Sequence, residues 1–419
     1  MSQVLLERPA SAAARESRRI PLGGFLGGVL LTQIVNSALH LAQPLLMISL
    51  SGGSLATAAF FSSFDTAVHM GGSFLGGWPA DRLGARRLLI LSTFLRGVSL
   101  ALIPLLWLAG RLTLTAAMAA YTLDALVRGF TDTAAHAVPL ELGEGDRAEL
   151  DRLNARYELV FDLGGVAGPL LLGYLLLDKK SLAPHVLVPA GFALSALAYC
   201  FIPKPRGPRA PVRSSRPTGG SLEGLRAMLA DRALLFAGAG VAVLNLYPLR
   251  KLLSAFFAKS ILIQPHAAGW VGAAFGLGGA IGAVLYDRRG GRGNGAAWVV
   301  GGAVGVLLLA CGWIPGSLWP MLFAAFAFAL TNVCARLALT RRLQERTPHG
   351  AIGGVTAVSR FAANGVSVGL KALVGAAFAL GAGPRAAFAA VAAGLALVAA
   401  AQFVLAAQMR RTAASEVIF

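Results

Sequence analysis

Leu88–Leu108 reads LLILSTFLRGVSLALIPLLWL and contains one charged residue, Arg96. A run of about 20 apolar residues, rising about 1.5 Å per residue as a helix, crosses the roughly 30 Å hydrocarbon core of a bilayer. Its apolar positions follow no period of two. A barrel strand, the other backbone that can satisfy its own hydrogen bonds in lipid, therefore does not fit. Trp298–Ile314 and Ala386–Ala407 are blocks of the same kind. Between such blocks, Ser51-Gly-Gly-Ser54, Ile314-Pro-Gly316 and Gly381-Ala-Gly-Pro384 carry the residues that end helices for steric reasons. The expected spans are 22–50, 55–80, 87–109, 113–140, 154–177, 183–202, 234–262, 267–287, 296–314, 318–340, 351–380 and 385–408.

Composition agrees. Of 419 residues, 56% are hydrophobic and 13% charged, with mean hydropathy +0.68. Soluble domains carry about 25% charged residues, so this apolar surface cannot be hidden in one aqueous core. Lys and Arg collect in alternate loops. Arg82, Arg86, Arg87, Arg147, Arg152, Arg156, Arg288, Arg289, Arg292, Arg341, Arg342 and Arg346 share one side, against Arg111, Lys179, Lys180, Lys259 and Arg385 on the other. Positive loops stay cytoplasmic, which assigns both termini to the cytoplasm. The same asymmetry explains a net charge of +18, so no nucleic-acid partner is needed.

The first twenty residues are polar and basic, and the following apolar run is too long for a secretory signal, so it reads as the first span. Cys200, Cys311 and Cys334 lie in spans without metal-type spacing and read as small hydrophobes. Abundant Arg, Ala and Gly fit a GC-rich bacterial genome, which points to the bacterial inner membrane.

The composition changes abruptly after Ile202, to a Pro-, Arg- and Ser-rich stretch with nothing to bury. The expected organisation is a cytoplasmic N-terminal tail (1–21), a six-helix bundle (22–202), a basic cytoplasmic linker (203–233), a second six-helix bundle (234–408) and a cytoplasmic tail (409–419). Within the linker, Ser221–Leu229 can form an amphipathic surface helix. Two such halves suit repeats related by an axis along the membrane normal, with substrate held between them.

Gly77-Trp-Pro-Ala-Asp81-Arg82-Leu-Gly84-Ala-Arg86-Arg87, between spans two and three, resembles motif A of the major facilitator superfamily (MFS). Gly84 permits a tight turn, Asp81 can face helix N-termini, and the arginines can meet carboxylates or phosphate headgroups. The resemblance implies a conformational latch. The loop after span eight, Tyr286-Asp287-Arg288-Arg289-Gly290-Gly291-Arg292, is a degraded copy. In span five, Gly164-Gly-Val-Ala-Gly168-Pro169-Leu-Leu-Leu172-Gly173 resembles motif C of the superfamily's exporters and antiporters, with Leu172 in place of one glycine. Gly164, Gly168, Pro169 and Gly173 would pack span five against Gly272, Gly276, Gly278 and Gly282 of span eight. The implied fold is an all-α membrane protein of twelve transmembrane helices in two six-helix bundles.

Ionisable residues inside spans are costly and mark function by default. Spacing of four puts Asn36/His40, Asp65/His69, Asp124/Arg128, Asp132/His136 and Glu158/Asp162 each on one helix face. Asp124/Arg128 reads as an ion pair within its helix, near the membrane-embedded arginine of motif B, and is either structural or a proton-sensitive lock and so a further proton-coupling candidate. Asp65/His69 and Asp132/His136 read as proton-coupling candidates, because a carboxylate in low dielectric can hold a proton and histidine titrates near neutrality. Arg96, alone in its block, carries no assigned role.

The second half holds cations without acids: Arg250 and Lys251 after Asn245-Leu-Tyr247-Pro248, then Lys371 with Asn364 nearby, while Arg336 and Arg360 read as snorkelling toward the cytoplasm. Pro248 should break span seven beside a cavity. These cations need carboxylates across the cavity or an anionic group on the cargo. Asn36, His40, Glu158, Asp162, Asn245, Tyr247, Arg250, Lys251, Asn364 and Lys371 are therefore the expected cavity residues. His40, His69 and His136 would be the ligands of a divalent metal if one were carried.

The expected activity is secondary active export by alternating access in a monomer embedded in lipid, driven by the proton gradient and without a cofactor. Its cargo is an amphipathic or partly anionic small molecule. Proton-coupled uptake, metal or metal-chelate transport, and a membrane-embedded enzyme or sensor are the alternatives. No P-loop is present.

Overall fold

The structure, a computed structural model, describes residues 23–76, 79, 82–142, 147–176, 183–202, 221–244, 252, 254–264, 266–288, 295–312, 315–347 and 352–416. All regular structure among them is helical. In chain order the helices are α1 (Gly23–Leu50), α2 (Leu55–Leu75), α3 (Ala85–Leu108), α4 (Leu114–Leu142), α5 (Arg147–Leu175), α6 (Ala183–Cys200) and α7 (Ser221–Ala230). They continue as α8 (Arg232–Leu244), a π-helical turn (Phe257–Ile261), α9 (Ala267–Arg288), α10 (Gly295–Cys311), α11 (Leu318–Arg346), α12 (Ile352–Ala379) and α13 (Pro384–Glu416).

Seven of the described helices contain a stretch long and apolar enough to cross a membrane: α1, α3, α6, α9, α11, α12 and α13. Those outside this set include α2 and α4, which bear Asp65, His69, Asp124, Arg128 and Asp132. Their polarity is local to the site described below.

Several boundaries differ from expectation for physical reasons. α2 stops at Leu75 rather than near 80, because Gly76 and Gly77 precede Pro79. α11 runs on to Arg346 on good helix formers and ends at Thr347, whose extended backbone suits the residue before Pro348. α13 continues to Glu416, so most of the expected tail is helical.

One packing scheme occurs twice. In the first half α1 packs on α5, α3 on α4 and α6, and α2 on α4; in the second, α8 packs on α12, α10 on α11 and α13, and α9 on α11. The halves meet through α2 against α12 and α5 against α9, which exchange equivalent helices between the two schemes. α7 lies on α12, with Met228 buried and Leu225 and Leu229 exposed.

The seam between α5 and α9 corrects the expected one. Gly164 and Gly168 face α1, at Gln33, Ile34 and Ser37, while Pro169 and Gly173 face Gly269 and Gly272 of α9. Residues four apart share a face, and 165, 169 and 173 lie about 100° around the helix from 164 and 168. Gly276 joins the seam against Val166, whereas Gly278 and Gly282 meet α11. A Cβ on Gly269 would collide with the Gly173 backbone and the Pro169 carbonyl oxygen. Gly269→Leu is therefore expected to wedge α5 from α9 and eliminate transport activity, while the protein still inserts and purifies as a single species. Transport at the wild-type rate would show that the contact is dispensable.

The loop before α3 is anchored within its own half. Gly84 has φ 82°, which suits glycine. Arg86 donates from Nε to the Ile202 carbonyl at 2.8 Å and from Nη2 to that of Cys200 at 2.7 Å. Those carbonyls are left without helical partners at the end of α6, so they take this guanidinium in place of the carboxylate or headgroup expected from sequence. Arg82 and Arg87 are exposed; Gly77 and Asp81 lie outside the described residues.

Candidate functional site: a cavity between the two halves

A cavity of about 450 Å³ opens between the halves. Its first wall comes from α1, α2, α4 and α5, and the facing wall from α8, Leu252, α9, α11 and α12. On α1 the spacing of Gln33, Asn36, His40 and Gln43 turns one polar face inward.

Behind this face lies a buried charge network. Arg96 is fully buried; its Nε donates to Asp124 Oδ1 at 2.8 Å and its Nη2 to Asn36 Oδ1 at 2.6 Å. Its guanidinium lies 4.1 Å from the centre of the Phe192 ring. Arg128 Nη2 donates to Asp65 Oδ2 at 2.7 Å, and Gln43 Nε2 donates to Asp65 Oδ1 at 3.2 Å. Arg128 Nη1 stands 3.4 Å from His40 Nε2 and 4.0 Å from Asp124 Oδ2. His69 Nε2 and Asp132 Oδ2 are 2.8 Å apart on the cavity side.

The Asp124/Arg128 pair expected within α4 is present at 4.0 Å, while the shortest contacts of Asp65, Asp124 and Asp132 run between helices. Asp65 joins Arg128 instead of His69, Asp132 joins His69, and Asp124 has Arg96 as its short contact, with Arg128 more distant. Side chains four apart point the same way, so each reaches more directly across to the neighbouring helix than up its own. Arg96 and Gln43 were given no role by the sequence. The single charge of Leu88–Leu108 and the 36–40–43 spacing were the signals that could have found them.

Lys371 bridges the halves. From α12 its Nζ donates to Thr66 Oγ1 at 2.8 Å and to the Ser62 carbonyl at 3.2 Å on α2. Ser63 Oγ returns a bond to the Val368 carbonyl at 2.8 Å. A half-buried Asn364 lines the cavity, and so does Arg336, which is exposed into it rather than snorkelling away. Tyr157 and Phe161 stack with ring centres 6.0 Å apart on the first wall.

Asn245, Tyr247, Arg250 and Lys251 lie outside the described residues, as do the side chains of His136, Glu158, Asp162 and Arg360. Among the described residues no three His, Cys, Asp or Glu side chains gather as a metal-ligand set.

The family model described as Major Facilitator Superfamily matches residues 23–257, more than half of the chain. The multidrug efflux pump Tap of Mycobacterium tuberculosis is 28% identical over 283 residues, covering 65% of this chain and 66% of Tap. The matched region thus spans just under two thirds of that relative's length. Tap of Mycolicibacterium fortuitum is 28% identical over 280 residues, covering 64% and 67% of the two chains. Among solved structures, the nucleoside transporter NupG superposes with a TM-score of 0.72 at 12% identity, covering 91% of this chain and 99% of its own. A bacterial homologue of the iron transporter ferroportin, in an inward-facing state, gives 0.65 at 16% identity, covering 94% and 99%. At these identities the structural likeness speaks for the fold alone. With that family match, two bundles that repeat one packing scheme and a polar cavity between them, the chain belongs to the Major Facilitator Superfamily and is a multi-pass protein of the bacterial inner membrane.

Proposed function

We propose that the chain is a proton-coupled exporter: a secondary active antiporter working by alternating access, with an amphipathic or partly anionic small molecule as cargo. The carrying observation is the cavity shared by both halves, with the buried Asp65–Arg128 pair in its wall and Lys371 reaching across from the second half. In this reading twelve spans cross the membrane and both termini are cytoplasmic. The contacts between the halves, at residues 60–66 with 368–375 and 165–173 with 266–276, then lie toward the outer side. The cavity accordingly opens to the cytoplasm, where an exporter loads.

The residues have complementary roles. Asp65 Oδ2 holds the coupling proton when it arrives; the neutral carboxyl releases Arg128, which turns to Asp124, already 4.0 Å away. The change is felt at the next residue of α2, Thr66, the acceptor of Lys371, so protonation and the hold of α12 on α2 are linked through neighbouring positions. The loop containing Gly77, Asp81, Arg82, Gly84, Arg86 and Arg87 serves as the latch of the opposite state. Export rather than uptake is supported by the motif C-like Gly164–Gly173 segment and by the relatives named as efflux pumps.

Inverted membrane vesicles provide the test. With the interior acid, rhodamine B is expected to accumulate inside, and collapsing the gradient with a protonophore should stop it. Equal accumulation with and without the gradient would sink the antiport reading.

A further inference from the structure

Three cations in or behind the cavity wall are bound to the protein's own acceptors. Arg96 has Asp124 and Asn36, Arg128 has Asp65, and Lys371 has Thr66 and Ser62. Arg336 is different. It lines the same cavity from α11 and is exposed into it, and among the described residues no carboxylate lies within ion-pair distance of its guanidinium. A planar fork of five N–H donors exposed in the cavity is a ready receptor for a carboxylate or a similar oxyanion.

The surroundings say how such a ligand would lie. Arg336 stands ten residues from the end of α11 at Arg346, Asp132 ten from the end of α4 at Leu142, and Tyr157 ten from the start of α5 at Arg147. At about 1.5 Å per residue each lies roughly 15 Å along its helix from that end, and all three line the one cavity. Asp132, its side chain 45% exposed beside His69, sits on the first wall and repels an anion from it. The Tyr157–Phe161 stack on that wall offers a flat apolar surface.

We propose that Arg336 is the docking residue for an anionic group on the cargo. The cargo class is a flat or apolar body, lying on Tyr157 and Phe161, that carries a carboxylate or comparable oxyanion directed at the second half. This rests on the proposed function only in that cargo occupies the cavity. It does not depend on the direction of transport or on the coupling ion.

The test is binding rather than transport. Rhodamine B carries a free carboxylate and its ethyl ester does not, so the two dyes differ at one group. Their affinities for the purified full-length chain in detergent are measured by fluorescence polarisation at fixed pH and without any gradient. The wild type is expected to bind the acid about tenfold more tightly than the ester, the effect of one charge-assisted contact. Arg336→Gln should bring that ratio to about one by weakening the acid alone, and Arg336→Lys should retain part of the preference. Arg336 is exposed, so both variants should keep the wild-type elution profile. An unchanged ratio in Arg336→Gln would overturn the assignment. So would an equal loss for both dyes, or a wild type that does not prefer the acid. Failure of gradient-driven accumulation with this preference intact would instead strike only the proton-antiport reading.

Discussion

Asp124→Asn is expected to destabilise the protein by about 3–5 kcal/mol, with the thermal transition in detergent falling by on the order of 5–10 °C. The reason is the position of Arg96, which is fully buried and has Asp124 as its contacting carboxylate. Asparagine preserves the shape and one acceptor but removes the charge, leaving Arg96 with Asn36 and the face of Phe192. Arg128 loses its second carboxylate in the same change. Breaking a buried pair from one side costs more than removing both sides, so Arg96→Gln added to Asp124→Asn should recover part of the lost stability. A single variant melting within about one degree of wild type, against the several degrees expected from the broken pair, would mean that Arg96 finds another counterion.

The second large effect concerns transport. Asp65→Asn is expected to reduce acid-driven accumulation in inverted vesicles to the level of empty vesicles, while exchange of labelled cargo without a gradient persists. Asparagine can still accept from Arg128 and face Gln43, so the wall keeps its form, but it has no carboxylate to take up and release a proton. Asp132→Asn is the informative companion. Asp132 contacts His69 on the exposed side of the cavity, away from the contact between the halves, and its replacement should slow accumulation only partly. If Asp132→Asn abolished accumulation and Asp65→Asn did not, the coupling proton would belong to the His69–Asp132 pair.

Much of the architecture was legible before any coordinates. Blocks such as Leu88–Leu108 announce themselves because lipid demands about 20 apolar residues in helical form, and the arginines of the 82–87 loop mark one membrane face. The location of the site on α1, α2 and α4 was legible for the same reason: a charge in hydrocarbon must have a purpose. What could not be read was which helices face each other. Periodicity puts Asp65 and His69 on one face of α2 but does not say that Arg128 and Asp132 of α4 stand opposite. The same limit explains Arg336, whose place along α11 suggested snorkelling until the facing wall defined a cavity. In α5 the glycine spacing signalled close packing correctly, yet one face of the motif serves α1 and the other α9.

The central claim is that the two halves alternate about the cavity, and paired spin labels test it most directly. With Cys200, Cys311 and Cys334 replaced by serine, one labelled pair is placed at Leu75 and Arg288, and another in the exposed turns at Gly53 and Gly381. Distances are measured by pulsed electron paramagnetic resonance at neutral and acid pH, with and without rhodamine B. The account predicts that conditions shortening the Leu75–Arg288 distance lengthen the Gly53–Gly381 distance, so that one end opens as the other closes. Distances that stay fixed under every condition, or that move in the same sense at both ends, would contradict it.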